Sequence, residues 1–132
     1  MRILRDIAAI PDDARGASAA IGNFDGVHRG HQAVMSIARD RARDAGVPFG
    51  IVTFEPHPRE VFAPDADPFR LMNAEARAHR LEKLGVDILY ELPFDAQMIA
   101  RTPEAFAREV LSDGLGLGHA VTGADFRFGK GR

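Results

Sequence analysis

The chain has 132 residues, 45% hydrophobic and 27% charged, which suits one soluble domain with a single core and excludes a disordered or fibrous chain. A formal net charge of −2 offers no broad basic surface for nucleic acid, and the lack of cysteine excludes disulfides and thiolate metal sites. No apolar run approaches the ~20 residues of a membrane span, and the opening Met-Arg-Ile-Leu-Arg-Asp carries no signal-peptide apolar region, so a cytoplasmic domain is expected.

Along the chain, residues 2–7 predict a short edge strand and the polar stretch 11–16 a loop. Residues 18–22 are a short apolar run, expected as a buried strand. Residues 31–45 have helical periodicity, with Val34, Ile37, Ala38, Ala42 and Ala45 on the expected inner face and Gly46 as the C-terminal cap. A second buried strand is expected over 47–54, ended by Pro56 and Pro58. Residues 59–72 read as a connection with a short helix near Glu60-Val61-Phe62. Asn73 is placed to cap a helix running to Leu84 and stopped by Gly85. A third buried strand follows over 86–92. Thr102-Pro103-Glu104 is a helix start, and that helix runs to about Ser112, packing Phe106, Val110 and Leu111. Residues 118–122 predict the fourth buried strand.

Strands alternating with helices predict an α/β fold: a Rossmann-like, doubly wound parallel sheet with helices on both faces. Ligands of such sheets bind beyond the carboxyl ends of the strands. Three candidate motifs fall there, after the strands at 18–22, 47–54 and 118–122.

The first motif is Ala20-Ile21-Gly22-Asn23-Phe24-Asp25-Gly26-Val27-His28-Arg29-Gly30-His31. A strand turning into a helix N-terminus presents free backbone N–H groups and the positive end of the macrodipole, which suits nucleotide phosphates. His28 and His31 can donate hydrogen bonds to phosphate oxygens there, and Gly26 and Gly30 let the backbone turn sharply. The second motif is Val52-Thr53-Phe54-Glu55-Pro56-His57-Pro58, and the third is Gly123-Ala124-Asp125-Phe126-Arg127-Phe128-Gly129.

Other signals are weaker. The Gly114, Gly116, Gly118 run precedes a strand and lacks G-x-G-x-x-G spacing, so a flexible connection is expected. Gly129-Lys130 is not a P-loop: Ala124 stands where the first glycine is required, and Gly131 follows the lysine. His79, beside Arg77 and Arg80, reads as part of a solvated basic face, and His119 as structural or exposed. His28 and His31 have no third soft ligand nearby in sequence for zinc. No G-x-S-x-G elbow or cysteine nucleophile is present.

The first motif resembles the nucleotidyltransferase superfamily with its His-x-Gly-His signature. The three motifs in order, together with LEKLGVDILYELPFD over 81–95, resemble the FMN adenylyltransferase module of bacterial bifunctional riboflavin kinase/FAD synthetases over nearly the whole chain. The resemblance implies attack of the FMN phosphate on the α-phosphorus of ATP, giving FAD and pyrophosphate, with Mg²⁺ as cofactor and no covalent enzyme intermediate. It implies that His28 and His31 bind the ATP phosphates and stabilise the transition state, and that Gly22, Asn23, Phe24, Asp25 and Gly26 line the nucleotide pocket.

Phe54, Glu55, Pro56, His57 and Pro58 are then assigned to FMN, with Phe54 offering an apolar surface to the flavin ring. Asp125 is assigned to ribose or a hydrated metal ion, where some relatives have Asn. Arg127 is assigned to phosphate, with an exposed salt bridge as the alternative. Of Phe126 and Phe128 one ring packs in the core and one borders the ligand, and Phe128 is taken for the flavin side. The metal ligands are left open.

The family also carries a later Ser/Thr-rich motif with a phosphate-holding arginine, and a riboflavin kinase barrel. Neither falls within residues 1–132, so an incomplete adenylyltransferase domain with weak nucleotide binding is expected. Small-molecule substrates are expected, with no nucleic acid or membrane, and no protein partner is implied. Two alternatives stay open. One is another superfamily enzyme, acting on phosphopantetheine, nicotinate mononucleotide or an alcohol phosphate. The other is a non-catalytic nucleotide- or flavin-binding module.

Overall fold

A computed structural model of the chain describes residues 1–24, 29–55 and 73–123. Its strands are β1 (Arg2–Leu4), β2 (Ser18–Ile21), β3 (Phe49–Glu55), β4 (Ile88–Pro93) and β5 (His119–Thr122). The helices are α1 (Arg29–Ala45), α2 (Ala74–Lys83), α3 (Ala96–Ile99) and α4 (Pro103–Ala105). Helix α4 runs on as a π-helix over Phe106–Gly114, and a 3₁₀ turn covers Asp12–Ala14. The strands form one sheet in the order β1-β4-β3-β2-β5, with every neighbouring pair parallel.

The faces of the sheet follow from the period of two along each strand. Phe49 and Ile51 of β3 pack with Ala20, Leu89, Met35, Ala38, Ala42 and Leu81 beneath α1 and α2. Val52 and Phe54 point the other way, to Ile21, Tyr90, Leu92, Phe94, Met98, Phe106 and Val110. Helices therefore cover both faces, as the alternating pattern predicts.

Capping residues decide where the helices begin and end. Asn73 accepts the Ala76 N–H at 2.8 Å and Thr102 accepts the Ala105 N–H at 3.1 Å. Helix α1 ends with Val47 N–H on the Ala42 carbonyl and Gly46 N–H on that of Arg43. Helix α2 repeats this with Val86 on Leu81 and Gly85 on Glu82. These paired bonds are the Schellman motif, and they require the positive φ of Gly46 (67°) and Gly85 (90°).

Several expectations are corrected. The inner stripe of α1 is Met35, Ala38 and Ala42, while Ile37 is 55% exposed on the far side and Ala45 is exposed at the helix end. Strand β5 is not buried: among the described residues it has only β2 beside it, and its residues alternate between half-buried and exposed. The short helix α3, capped by Asp95 on the Met98 N–H at 2.9 Å, was not anticipated.

The helix begun at Thr102 widens to i→i+5 bonding, as in Leu115 N–H to the Val110 carbonyl at 2.7 Å. Phe106, Val110 and Leu115 are all buried, which a 3.6-residue repeat would not align on one side.

The glycine run after this helix is a fastened connection rather than a flexible one. Arg15 donates to the carbonyls of Gly114 and Asp113, both at 3.0 Å, and Gly16 N–H to that of Gly116 at 2.7 Å. A Cβ on Gly116 would stand 2.7 Å from the Arg15 guanidinium. The helix expected near Glu60-Val61-Phe62 lies outside the described residues.

Candidate active site

The order of the strands points to a candidate site. From β2 the chain moves outward to β3 and β4, then returns so that β5 lies on the other side of β2. The strand order reverses at β2, and the crevice beyond its carboxyl end is where a doubly wound sheet takes a ligand. Gly22, Asn23 and Phe24 leave β2 at this point, α1 begins at Arg29, and Gly123 leaves β5 beside them.

The turn is built tightly. Gly22 N–H donates to the Val52 carbonyl at 3.1 Å, which continues the β2–β3 ladder by one bond. A Cβ on Gly22 would stand 3.1 Å from a ring carbon of Phe24, so glycine leaves room for that ring. Phe24 has a φ of 53°, rare for a bulky side chain and costly by about 1–3 kcal/mol. Burial of the ring in the α1–α2 core offsets that strain. The same ring stands 4.9 Å, centroid to centroid, from the imidazole of His31 in the first turn of α1. The histidine is thereby held over a rigid floor beside the N–H groups that open the helix.

A buried cation underlies the site. Arg77 of α2 is fully buried, where a solvated basic face was expected. Its Nη1 donates to the Asn23 carbonyl and its Nη2 to Glu55 Oε2, both at 3.0 Å. Glu91 Oε2 of β4 lies 3.7 Å from Nη2, and Glu91 Oε1 accepts from Arg5 Nε at 3.1 Å. Four charges of alternating sign thus run Glu55–Arg77–Glu91–Arg5. Loss of either carboxylate would leave this desolvated guanidinium short of a partner.

Residues of the first and second motifs are joined through this guanidinium. Sequence reasoning missed Arg77 and Glu91. The available signal was helical spacing: Arg77 precedes the buried Leu81 by one turn and shares its face.

Phe54 differs from expectation. Its ring is 1% exposed and is enclosed by Phe94 at 5.6 Å and Phe106 at 5.9 Å, on the sheet face opposite Phe24. The residue expected to present an open surface is a core member, because period two turns it toward α3 and α4. Glu55, next along, is on the α2 side and half-buried. Asp25, Gly26, His28, Pro56, His57, Pro58, Asp125, Arg127 and Phe128 lie outside the described residues. Among the described residues no group of three or more His, Cys, Asp or Glu is placed to hold a metal ion. None of their helices is long and apolar enough to cross a membrane.

The sequence profile of the FAD synthetase family matches residues 10–132. A bifunctional riboflavin kinase/FMN adenylyltransferase from Pseudomonas fluorescens is 42% identical over all 132 residues, which cover 42% of that protein. The Escherichia coli K12 protein of the same description is 36% identical over the same span, again 42% of its length. That of Bacillus subtilis is 35% identical over 122 residues, or 38% of its length. The chain therefore spans less than half the length of these curated relatives. A solved structure described as a macrolide-efflux protein from Streptococcus pneumoniae superimposes with a TM-score of 0.76 at 26% identity, covering 96% of this chain and 49% of that one. The fold, the switch-point turn and the match over 10–132 agree: the chain belongs to the FAD synthetase family.

Proposed function

We propose that this chain transfers AMP from ATP to FMN, forming FAD and releasing pyrophosphate. The observation that carries the reading is the Gly22–His31 turn at the strand-order reversal of a chain in the FAD synthetase family. The relatives' description joins FMN adenylyltransferase to riboflavin kinase. We assign the kinase activity to the part of their length that this chain does not cover. A cytoplasmic location suits both substrates.

In this reading a phosphate oxygen of FMN forms a bond to the α-phosphorus of ATP, and the bond from that phosphorus to the pyrophosphate oxygen breaks. No protein nucleophile is needed, so the chain's work is positioning and charge stabilisation. Backbone N–H groups at the start of α1 receive phosphate oxygens, aided by the helix dipole. His31, fixed against Phe24, donates a hydrogen bond to the same phosphates, and His28 is assigned the same task. Asn23 Oδ1 is buried with no hydrogen-bond partner among the described residues, which suits a donor from the nucleotide.

Glu55 opens the segment assigned to FMN, with Pro56, His57, Pro58 and Phe128. The core position of Phe54 suits a wall behind that segment rather than a stacking platform. Asp125 is assigned to ribose or a hydrated ion, Arg127 to phosphate, and Asp25 and Gly26 to the nucleotide turn.

Mg²⁺ is ordinarily held by one or two carboxylates together with substrate phosphates. When bound, it supplies charge that offsets the phosphates.

The test is FAD formation from FMN, ATP and Mg²⁺ by the purified protein, followed by chromatography. FAD appearing, with loss in His31→Ala, is the expected result. Tight binding of both substrates with no pyrophosphate release would favour a binding module instead. Stabilisation by a different phosphorylated partner in the presence of ATP would point to another superfamily enzyme.

A further inference from the structure

Arg77 lies between the two halves of the proposed site. It comes from α2, an element that carries none of the three motifs. Its one planar guanidinium reaches a backbone carbonyl of the first motif and a carboxylate of the second, each at 3.0 Å. The acceptors differ in kind. The Asn23 carbonyl belongs to the turn that receives ATP, and its position fixes the peptide plane between Asn23 and Phe24. Glu55 is the last residue of β3 and opens the segment assigned to FMN.

The site is built to be rigid. The Arg77 side chain is 0% exposed, and Glu91, 8% exposed, lies at 3.7 Å as a further carboxylate. Glu91 is held in turn by Arg5 at 3.1 Å. A lysine would keep the charge but not the fork: an ammonium is a point donor and cannot reproduce the planar spacing of two nitrogens.

We propose that Arg77 is a positioning residue for adenylyl transfer, its guanidinium clamping the Asn23 carbonyl and the Glu55 carboxylate so that the ATP-side turn and the end of β3, where the residues assigned to FMN begin, are held in register. This rests on the function proposed above. Transfer requires the FMN phosphate to meet the α-phosphorus in line, and a displacement of about 1 Å costs on the order of 10²-fold in rate. The clamp acts on the relative placement of two bound substrates, so its loss is felt in kcat more than in either KM.

The test compares the wild-type protein with Arg77→Lys, Glu55→Gln and the double variant. FAD formation is measured per folded molecule, with the folded fraction taken from circular dichroism at the assay temperature. Arg77→Lys is expected to lower kcat about 10- to 100-fold, with KM for ATP and for FMN each within about threefold of wild type. Glu55→Gln is expected to lower kcat less. The double variant is expected to match Arg77→Lys alone, because the two residues act as one unit.

A merely structural arginine would instead lower activity in proportion to the unfolded fraction and leave kcat per folded molecule unchanged. That result, or additive effects in the double variant, overturns the proposal. If Arg77→Lys fails to fold, Glu55→Gln alone decides. Its charge-assisted contact to Nη2 becomes a neutral one, and unchanged kcat per folded molecule overturns the clamp. Wild-type protein that carries the later Ser/Thr-rich motif as well as this chain and still makes no FAD would remove the reading of the reaction itself, and the clamp with it. Wild-type activity with silent variants removes the clamp alone.

Discussion

The ring of Phe24 stands 4.9 Å from the imidazole of His31 at an interplanar angle of 50°, and Phe24 holds this position at a φ of 53°. The aromatic floor, the missing side chain at Gly22 and the first turn of α1 form one unit whose product is a fixed histidine at a helix N-terminus. His31→Ala is expected to reduce FAD formation on the order of 10²-fold, comparable to loss of one charge-stabilising donor. The thermal midpoint of this variant should move by only a few degrees. An unchanged rate would remove His31 from the site.

Gly22→Ala places a Cβ 3.1 Å from the Phe24 ring, tighter than an ordinary contact. The ring must move, and His31 moves with it. The expected outcome is a rate loss larger than the stability loss, measured by FAD formation and urea unfolding on the same preparation. Equal activity per folded molecule would show that the turn tolerates the shift.

Gly50 of β3 lies under the ring of Tyr90, where an added Cβ would come within 2.8 Å of Cε2. Tyr90 cannot retreat, because it is fully buried and its hydroxyl donates to the Ala14 carbonyl at 2.9 Å. Gly50→Ala is expected to destabilise by about 1–3 kcal/mol, the ordinary cost of overpacking a core. A lower urea midpoint with an unchanged m-value checks this.

Burial pushes the Tyr90 hydroxyl from its ordinary pKa of 10.0 up to about 12, with Arg2 and Arg15 pulling slightly the other way. The folded state thus holds the proton more tightly than the unfolded state. This contribution to stability is fully present below pH 10 and is lost as pH rises from 10 toward 12. Tyr90→Phe removes that dependence and costs about 1 kcal/mol at neutral pH through the lost hydrogen bond. Urea unfolding of both proteins at pH 8 and about pH 11 is expected to show the gap narrowing at alkaline pH.

Asn73→Ala removes the acceptor of the Ala76 N–H at 2.8 Å and is expected to cost about 1 kcal/mol. Since Arg77 is the fourth residue of α2 and its N–H bonds the Asn73 carbonyl at 3.0 Å, hydrogen exchange at Arg77 and Ala78 should quicken in this variant. Unchanged exchange there would mean that the packing of Leu81 alone holds the helix.

The local devices were legible because each depends on neighbours in sequence. Asn73 and Thr102 cap as their side chains predict, and Gly46 and Gly85 end helices where a positive φ is needed. The alternation of strands and helices predicted the parallel sheet with both faces covered. The Gly22–His31 string predicted a strand-to-helix turn, and its glycine, aromatic and histidine are assembled there.

Tertiary structure decided what local pattern leaves open. Period two shows that Phe54 and Glu55 face opposite ways, but only the packing of α3 and the π-helix puts Phe54 in the core beside Phe94 and Phe106. Helical spacing places Arg77 on the face of Leu81, yet a buried arginine is stable only when distant carboxylates meet it, and Glu55 and Glu91 come from two different strands. The sequence by itself determined most of the elements, the Asn73 and Thr102 caps and the strand-to-helix turn after β2, since these rest on bonds within a few residues. Which charge is buried, which aromatic is core and how the two halves of the site are tied together rest on contacts between residues far apart in the chain, which exist only once the sheet has formed.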